Sequence, residues 1–500
     1  MAEAVPSIER GLAGITSTAV PEFLRKPKQL LIGGKWTPAK SGKTFETINP
    51  ANEEILTLVA EGDKADVDEA VKAALKAFEE GKWSRMGPHE RARCLLRIAD
   101  SIERHAEELA ELETLDNGKP LSVSRLEIPG GANLFHYYAG WCTKIYGETN
   151  PSDPSIFNYT LREPVGVCGQ IIPWNVPFLM ATLKIAPALA CGNCVILKPA
   201  EQTPLTALRL GELILEAGVP EGVVNIITGF GPGAGSAIAE PPGIDKVAFT
   251  GSTEVGKLVQ QAAAGNLKRV SLELGGKSPN IIFADADMAQ AVPTSMMGVY
   301  RNSGQVCFAG SRIFVQRDMY DNVMDQFVSF SEKVVVGNPL DAKTNLGPLI
   351  SREQFDRVKS YLEVGKNEGA KVALGGEVSN GKGYFVKPTI FSQVNNQMRI
   401  AREEIFGPVA AVIPFKDETD AVFQGNDTTY GLAAAVWTRD VSRAHKVARA
   451  LKAGTVWVNC YGVIDAMSPF GGYKQSGLGR EYGREALDLY TQVKSVYLKL

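Results

Sequence analysis

The feature that most limits the possible folds of this chain is a regular alternation of short apolar runs with helical stretches, beginning at residue 194. CVILK (194–198) is followed by PLTALRLGELILEAG (204–218), which has the pattern of a helix ending in glycine. VVNIITG, KVAFTG and VSLELGG follow near residues 223, 246 and 270, with helical stretches between them. Short strands that alternate with helices are typical of βαβ units and a parallel sheet. The pattern therefore predicts an α/β fold.

Parallel sheets of this kind bind ligands beyond the carboxyl ends of their strands. This rule directs attention to the residues that follow the apolar runs, namely Lys198, Gly229, Gly251 and Gly275. A second alternating region follows residue 307 and includes RIFVQ (312–316) and TVWVN (455–459). No linker is evident between the two regions, so we expect a site formed by both of them.

The N-terminal part is expected to be helical. One long helix is predicted from about residue 88 to 116, and Asn117-Gly118 would end it. His105 falls on the apolar stripe of this helix, so we interpret it as a packing residue.

Charge and hydropathy exclude several classes of function. The 53 basic and 56 acidic residues give a net charge of −3, so no overall field favours nucleic acid or an anionic membrane as a partner. The most apolar stretch, residues 168–197, is interrupted by Lys184 and three prolines, which favours buried core over a membrane span. The N-terminus has neither a secretory nor a transit pattern. We expect a cytoplasmic protein.

Cysteine and histidine usage argues against a metal centre. The seven cysteines are odd in number and irregularly spaced, which indicates reduced thiols. Cys191 and Cys194 form a CxxC, but neither a second CxxC nor a histidine pair accompanies them, and the four histidines are scattered. We expect no metal site.

Three glycine-rich segments compete as a phosphate-binding site. The segment 229–234 fits GxGxxA after a strand, although Pro232 lies inside the turn. Gly276-Lys277-Ser278 ends like a P-loop, but Ser271 stands where the first glycine would be required. FTGSTEVG (249–256) runs from a strand into a helix that Ser252 can cap, leaving backbone N–H groups free to face a pyrophosphate. The third segment is chemically the best, but spacing alone does not decide between it and the first.

A single thiol, Cys307, lies among small and polar residues in NSGQVCFAGSR (302–312). Taken alone, a cysteine is more often a buried packing residue than a nucleophile. The wider sequence changes this interpretation. Seven motifs occur in order along the chain: PWN (173–175), KPAEQTP (198–204), FTGSTEVG (249–256), LELGGKSP (272–279), GQVCFAGSR (304–312), EEIFGPV (403–409) and PFGGYKQSG (469–477).

Together these motifs resemble the NAD(P)-dependent aldehyde dehydrogenase family of roughly 500 residues, from about residue 30 to the end. The resemblance implies that Cys307 is the nucleophile and Glu273 the general base. Asn175 would supply an oxyanion-binding amide beside the backbone N–H of Cys307, and Lys184 matches a family lysine often placed in a proton relay.

The resemblance also implies a set of NAD contacts. Lys198 and Glu201 would meet the adenosine ribose, and Gly251 with Ser252 would meet the pyrophosphate. The full set of cofactor residues implied is Ile172, Pro173, Trp174, Asn175, Lys198, Glu201, Gly231, Pro232, Gly251, Ser252, Gly256, Glu273, Leu274, Gly275, Gln354, Glu404 and Phe406. Glu201 could accept hydrogen bonds from a ribose 2′-OH but would repel a 2′-phosphate, which favours NAD over NADP.

The chemistry of these residue types is consistent with such roles. A thiol with its usual pKa of about 8.5 is only a few per cent ionised at pH 7, so it needs activation. Attack on an aldehyde creates an oxyanion that an amide can stabilise, and a carboxylate can activate the water that releases the acid. No histidine is required.

The expected substrate tunnel is apolar, with Val176, Met180, Leu183, Val306, Phe308 and Phe470 as its walls. No arginine is obviously placed to bind a carboxylated semialdehyde. WVNCYGVIDAMSPFGG (457–472) is similar to phenylacetaldehyde-type members of the family, so an aromatic or medium-chain apolar aldehyde is the expected substrate.

Three alternatives remain. A CoA-acylating relative would share the cysteine, but that branch commonly lacks the glutamate present here at 273. A thiol hydrolase would need a histidine, and none lies in the motifs. A non-catalytic protein on this fold would be free to lose Cys307 or Glu273.

The resemblance implies a Rossmann-like cofactor domain (30–145 and 165–274), an α/β catalytic domain (275–475) and a small β element for oligomerisation (146–164 and 482–500), after an N-terminal extension (1–29). IFNYT and VYLK would expose flat strand edges if left unpaired, so we expect pairing with another subunit in a homo-oligomer, with a tetramer favoured over a dimer.

Overall fold

The computed structural model describes residues 14–500, and residues 1–13 of the expected N-terminal extension lie outside the described residues. Within residues 14–500 the helices are α1 (Ala19–Leu24), α2 (Lys64–Glu79), α3 (Pro88–Arg104), α4 (Ala106–Asn117), α5 (Leu121–Ala139), α6 (Pro177–Ala190), α7 (Leu205–Glu216), α8 (Ser236–Ala239), α9 (Thr253–Ala263), α10 (Met288–Tyr300), α11 (Tyr320–Ser331), α12 (Arg352–Asn367), α13 (Arg399–Arg402), α14 (Glu418–Asn426), α15 (Val441–Ala450) and α16 (Glu485–Tyr490). The strands are β1 (Leu30–Ile32), β2 (Lys35–Thr37), β3 (Thr44–Asn49), β4 (Glu54–Ala60), β5 (Thr149–Asn150), β6 (Ile156–Pro164), β7 (Val167–Ile171), β8 (Cys194–Lys198), β9 (Val224–Ile226), β10 (Lys246–Thr250), β11 (Arg269–Glu273), β12 (Pro279–Ile282), β13 (Arg312–Gln316), β14 (Lys371–Leu374), β15 (Thr389–Ser392), β16 (Val409–Phe415), β17 (Ala433–Trp437), β18 (Thr455–Val458), β19 (Gly477–Leu478) and β20 (Thr491–Lys499).

The first large sheet has the strand order β19-β11-β10-β7-β8-β9-β1-β2. Its central strands, from β11 to β9, are parallel, and the short edge strands are antiparallel. The chain runs from β7 through β8 to β9 on one side and through β10 to β11 on the other, so the strand order reverses between β7 and β10. Ligands of open α/β sheets bind in the crevice at such a reversal. The α/β prediction is confirmed.

The second large sheet has the order β14-β15-β16-β13-β12-β17-β18, and it is parallel except for β14 at one edge. The chain crosses from the first sheet to the second between the end of β11 and the start of β12. It returns at β19, which pairs with β11 so that Gly477 lies opposite Glu273. Glu273 therefore lies where the two sheets meet.

The apolar stretch 168–197 forms β7, α6 and β8, and both strands are buried along their whole length. Near-continuous apolar strands of this kind are expected where helices cover both faces of a parallel sheet. The prediction that this stretch is core is confirmed. None of the helices between residues 14 and 500 is long and apolar enough to cross a membrane.

The strands expected to mediate oligomerisation pair with each other. β20 runs antiparallel to β6, from Thr491 opposite Pro164 to Lys499 opposite Ile156, and β5 covers the other edge of β6. IFNYT and VYLK thus cover one edge of each other within the chain, and pairing with another subunit stays a prediction. The outer edge of β20 has no partner strand among the described residues.

The prediction of a single long helix from 88 to 116 was wrong. The chain breaks at His105, whose φ of −105° and ψ of 18° lie outside the helical region, and α3 and α4 form on either side. The His105 Nδ1 atom lies 2.8 Å from the carbonyl oxygen of Ser101, and this contact caps the end of α3. The predicted end is confirmed, because α4 stops at Asn117 before Gly118, whose φ is +86°.

Candidate active site

The nucleophile candidate lies on a loop with unusual backbone geometry between α10 and β13. Asn302 and Ser303 have φ values of 49° and 56°, and Gly304 has a φ of +76°. A Cβ atom on Gly304 would collide with the carbonyl group of Gly407, so only glycine fits there. Cys307, three residues after Gly304, lines a cavity of about 470 Å³. Strained backbone of this type is common at functional sites.

The electrostatic environment of Cys307 disfavours the free thiolate. Burial raises the pKa of the Cys307 thiol above its usual range, and the carboxyl groups of Glu404 and Glu273 raise it further. The backbone N–H groups of Phe308 and of Cys307 itself act in the opposite direction. The thiol is therefore neutral at pH 7 and needs a base to become a nucleophile.

Glu273 is such a base by position. Its carboxyl group lines the same cavity, and neither of its oxygens has a hydrogen-bond partner among residues 14–500. Burial raises the pKa of Glu273 well above its usual range, with a further contribution from Glu481 and opposing ones from Lys184 and Arg480. A buried carboxyl group without partners is costly, so its retention indicates a chemical role.

Asn175 also lines the cavity, and its side-chain amide lies close to the thiol loop. Asn175 Nδ2 donates to the backbone carbonyl of Gln305 at 2.8 Å. Because an amide nitrogen carries two protons, one N–H remains to stabilise an oxyanion. The backbone carbonyl of Asn175 is itself held by the amides of Asn302 (2.8 Å) and Asn117 (3.3 Å).

Lys184 lies one step behind the cavity. Its ammonium group is buried and pairs with Glu481, and Glu481 is the member of this pair that lines the cavity. Lys184 therefore acts on the site through Glu481, by holding its charge, and through its field on Glu273. Sequence reasoning missed Glu481, because an isolated glutamate near the C-terminus carries no local signal of its partner 297 residues away.

The two glycine-rich segments that competed as a pyrophosphate site lead into different structures. Ser252 caps α9, and its hydroxyl oxygen accepts from the N–H of Val255 at 3.2 Å. The segment 229–234 leads only into a π-helical turn and the four-residue helix α8. The longer, capped helix N-terminus at Ser252 favours the segment 249–256 on physical grounds, and pyrophosphate binding there stays a prediction. Gly256 allows close packing, because a Cβ atom there would come within 2.5 Å of Leu274.

The remaining cofactor candidates on the first sheet surround the same crevice. Ile172 follows β7 and Lys198 ends the neighbouring strand β8; the N–H of Ile172 donates to the carbonyl of Lys198 at 3.1 Å. Lys198 Nζ donates to the carbonyl of Pro199 at 2.9 Å and lies 3.4 Å from a carboxylate oxygen of Glu201. Burial lowers the pKa of Lys198, and Glu201 opposes this effect. Pro173 and Trp174 continue from Ile172, and Gly231 and Pro232 are exposed.

Glu404 and Phe406 approach from the second sheet. The N–H of Gly276 donates to Glu404 Oε1 at 3.0 Å, and a Cβ atom on Gly275 would collide with this carboxylate. Burial raises the pKa of Glu404 to about 7. Phe406 has a φ of +60°, and Gln354 Nε2 stabilises that backbone by donating to its carbonyl at 2.8 Å. The Phe406 ring stands edge-on to Trp174 at 5.3 Å, so residues of both sheets meet in the crevice.

The cavity above Cys307 contains the expected apolar walls, together with further apolar and charged side chains. The expected walls are Val176, Met180, Leu183, Val306, Phe308 and Phe470; the additional apolar residues are Leu126, Leu134, Leu179, Ile464, Ala466 and Met467.

One arginine lines this cavity that the sequence analysis did not consider. A guanidinium nitrogen of Arg301 lies 3.4 Å from an oxygen of Glu127, which also lines the cavity. Arg301 lies just before the cysteine motif and Glu127 lies in α5, so both are outside the seven motifs.

Comparison with known proteins places these observations in a family. Residues 36–496 match the model of the aldehyde dehydrogenase family. The human mitochondrial aldehyde dehydrogenase is 53% identical over 99% of this chain and 97% of its own length. An NAD+ complex of aldehyde dehydrogenase from Bacillus cereus superposes with a TM-score of 0.96 at 51% identity, over 97% of this chain and 99% of that one. Betaine aldehyde dehydrogenase from Staphylococcus aureus, also in complex with NAD+, gives a TM-score of 0.94 at 42% identity, over 97% of both chains.

Proposed function

The chain belongs to the aldehyde dehydrogenase family and oxidises aldehydes with NAD, and we propose that it does so through a covalent intermediate on Cys307. The observation that carries this proposal is the meeting, in one buried cavity, of the Cys307 thiol, the Glu273 carboxyl group without hydrogen-bond partners and the Asn175 amide. A thiol, a base and an oxyanion donor are the groups that acyl transfer from an aldehyde requires.

The first step is the transfer of the thiol proton to Glu273. Burial raises the pKa of both groups, so their pKa values lie closer together than those of a buried thiol and an ordinary carboxyl group. Proton transfer from the thiol to Glu273 is therefore less unfavourable than transfer to an ordinary carboxylate. The sulfur then forms a bond to the carbonyl carbon, and the carbonyl π electrons move to oxygen. The Asn175 amide and the Cys307 N–H stabilise that oxyanion, and loss of one such donor costs about 10²–10³ in rate.

The residues of the crevice fit NAD. The capped N-terminus of α9 suits the pyrophosphate, the Glu201 carboxylate suits a ribose 2′-OH, and Glu404 with Phe406 would hold the nicotinamide ribose and ring. When bound, NAD supplies the hydride acceptor that turns the thiohemiacetal on Cys307 into a thioester. Glu273 releases the thiol proton to solvent and, as a carboxylate again, takes a proton from water while the water oxygen forms a bond to the thioester carbon. The C–S bond then breaks, the acid leaves, and the electron pair of that bond returns to the sulfur of Cys307.

We further propose that the substrate is an aromatic or medium-chain apolar aldehyde. The cavity walls are mostly apolar, and the charged groups Arg301 and Glu481 each face an opposite charge, on Glu127 and Lys184 respectively. A distal carboxylate on the substrate would have to compete with Glu127 for Arg301. Apolar burial favours a hydrocarbon chain by about 0.8 kcal/mol for each buried CH₂ group.

These proposals are tested by two measurements. Cys307→Ala should abolish NADH formation while NAD still binds, and turnover by this variant would contradict the covalent route. A panel of aromatic, aliphatic and carboxylated aldehydes, followed by NADH absorbance, should give the highest kcat/KM for the apolar members. A preference for a carboxylated semialdehyde would show that Arg301 is released from Glu127 and would overturn the substrate proposal.

The chain is also proposed to act as a homo-oligomer in the cytoplasm, with a tetramer favoured over a dimer. The free outer edge of β20 supports association, since Val493, Tyr497 and Leu498 are exposed on it. The seven free cysteines fit a reducing compartment. The proposed domains, 30–145 with 165–274 and 275–475, correspond to the two large sheets except for β19. Sedimentation equilibrium would give the assembly mass, and a monomer would contradict the proposal.

A further inference from the structure

The loop that carries Cys307 is a tight turn, and one distant side chain holds it. The N–H of Ala309 donates to the carbonyl of Val306 at 2.9 Å, which places Cys307 and Phe308 at the two central positions. The carbonyl of Phe308 accepts a hydrogen bond of 2.6 Å from the hydroxyl of Tyr461, which lies 153 residues further along the chain. The N–H of Phe308 and that of Cys307 itself both face the sulfur of Cys307.

Tyr461 is itself fixed in a narrow slot. A Cβ atom on Gly298 would come within 2.9 Å of its ring, and one on Gly310 within 2.8 Å, so both glycines leave room for the same ring. The N–H of Gly310 donates to the carbonyl of Gly298 at 3.2 Å, which closes the slot. The ring also packs on Trp457 at 4.8 Å.

The side chain of Phe308 is held at the same time as its backbone. Its ring meets Trp457 edge-on at 5.5 Å and Phe470 at 6.0 Å. The ring therefore forms a wall of the cavity, while the hydroxyl of Tyr461 determines where the peptide group after Phe308 points. The same peptide group carries the N–H of Ala309, so it is held at one end by the hydrogen bond of the turn and at the other by the hydroxyl of Tyr461.

We propose that Tyr461 is a positioning residue for the nucleophile: by holding the Phe308 carbonyl, it keeps the N–H groups of the turn directed at the sulfur and at the oxyanion. It touches neither substrate nor cofactor and acts through Phe308. This inference rests on the proposed role of Cys307. It also accounts for Gly310 in the cysteine motif, which is there to accommodate the Tyr461 ring.

The test is Tyr461→Phe, which removes only the hydroxyl group. The matched control is Tyr320→Phe. Like Tyr461, Tyr320 donates its hydroxyl to a backbone carbonyl, that of Val412 in β16, at 3.2 Å. Alkylation of Cys307 by iodoacetamide, mapped by peptide mass, and the pre-steady-state burst of NADH should both slow by about three- to tenfold in Tyr461→Phe. The pH profile of alkylation should move to higher pH, and KM for NAD should stay unchanged. The control should match the wild type in all four measurements.

Equal alkylation rates and pH profiles in Tyr461→Phe and wild type would overturn the inference, and so would equal losses in the two phenylalanine variants. If Tyr461→Phe does not fold, Gly310→Ala serves instead. Its methyl group would displace the ring of Tyr461, so the hydroxyl group would still be present but would move away from the Phe308 carbonyl. Its alkylation should slow in the same direction, and an unchanged rate would contradict the slot. Turnover by Cys307→Ala would show that the proposed function has failed, whereas a dead Cys307→Ala with a normal Tyr461→Phe would reject only the role of Tyr461.

Discussion

Two charge networks contribute carboxyl groups to the lining of the cavity, and they differ in how completely those groups are paired. In the first, Lys119 bonds Glu113 at 2.9 Å and Glu127 at 2.6 Å. Thr206 donates to the second oxygen of Glu113 at 2.8 Å, and Arg301 lies 3.4 Å from the second oxygen of Glu127. Every carboxylate oxygen of this network has a partner.

The second network is incomplete. Lys184 pairs with Glu481, and the charges of both residues shift the pKa of Glu273. Glu273 itself has no hydrogen-bond partner among residues 14–500. Burial costs are therefore offset in the first network and left uncompensated in the second. Buried charge is common to both networks, so it does not by itself point to a chemical role; what distinguishes Glu273 is an ionisable group in the cavity wall without a hydrogen-bond partner among residues 14–500.

The largest effect is expected for Glu273→Gln, which keeps the shape and removes the base. Turnover should fall by about 10²–10⁴, because a general base contributes that much. Acyl-enzyme should accumulate and be visible as added mass on the intact protein. Normal steady-state turnover would count against this residue as the base.

The same variant separates the two networks by stability. A carboxyl group whose folded pKa lies above its unfolded value destabilises the fold as pH rises above the unfolded value. Glu273→Gln removes this penalty, so its Tm at pH 8 should equal or exceed that of the wild type. A lower Tm would show that Glu273 also has a structural partner.

Lys119→Met, in the first network, should instead lower the stability of the fold. Removal of the shared cation leaves one oxygen of each buried carboxylate without its partner, and breaking a buried pair in this way costs about 3–5 kcal/mol of the free energy of unfolding. Denaturant unfolding measures this loss. Lys64→Met is the control, because the pair of Lys64 with Asp68 is exposed and should contribute almost nothing. Equal stabilities of the two variants would contradict the distinction drawn between buried and exposed pairs.

The incomplete network also predicts a pH dependence. Because the pKa values of Cys307 and Glu273 are both raised, the deprotonated forms that acylation needs become more populated as pH rises. The rate of the NADH burst should increase from pH 7 to pH 9, and Glu273→Gln should change the shape of this profile. A burst rate that is flat or falls over this range would disagree with the burial of both groups.

The smallest effect is expected in the cofactor crevice, at Glu201→Ser. Loss of the carboxylate should remove repulsion of a 2′-phosphate, so the NADP to NAD ratio of kcat/KM should rise several-fold. The nearby Lys198 limits the wild-type discrimination, since its ammonium group lies 3.4 Å from Glu201. An unchanged ratio would mean that Glu201 does not face the adenosine ribose.

Much of the fold was predictable from local patterns. The buried strands β7 and β8 have near-continuous apolar sequences, and Ser252 and Gly118 have the residue types that begin and end helices. The break at His105 was not predictable, because the apolar stripe continues through it and only the local backbone departs from the helix. β6 and β20 were assigned to one small β element, but their register was not predictable, because β propensity does not state which residues will lie opposite each other.

Some residues around the candidate site were predictable from the sequence and others were not. The ordered motifs pointed to Cys307, Glu273 and Asn175 as candidate site residues, because each carries a chemically suitable group inside a recognisable segment. Glu481 and Arg301 lie outside the functional interpretation of any motif, and their roles depend on partners far away in sequence.

The sequence by itself determined the α/β class, the family and the use of NAD, and it pointed to Cys307 as the candidate nucleophile, because these depend on local periodicity and on residue types at short spacing. Only the tertiary structure decided which charges are paired, which of the glycine-rich segments leads into a long capped helix and which side chain bonds the thiol loop. The physical reason is that hydrogen bonds and ion pairs act over a few ångströms, whereas Tyr461 and Phe308 are separated by 153 residues along the chain.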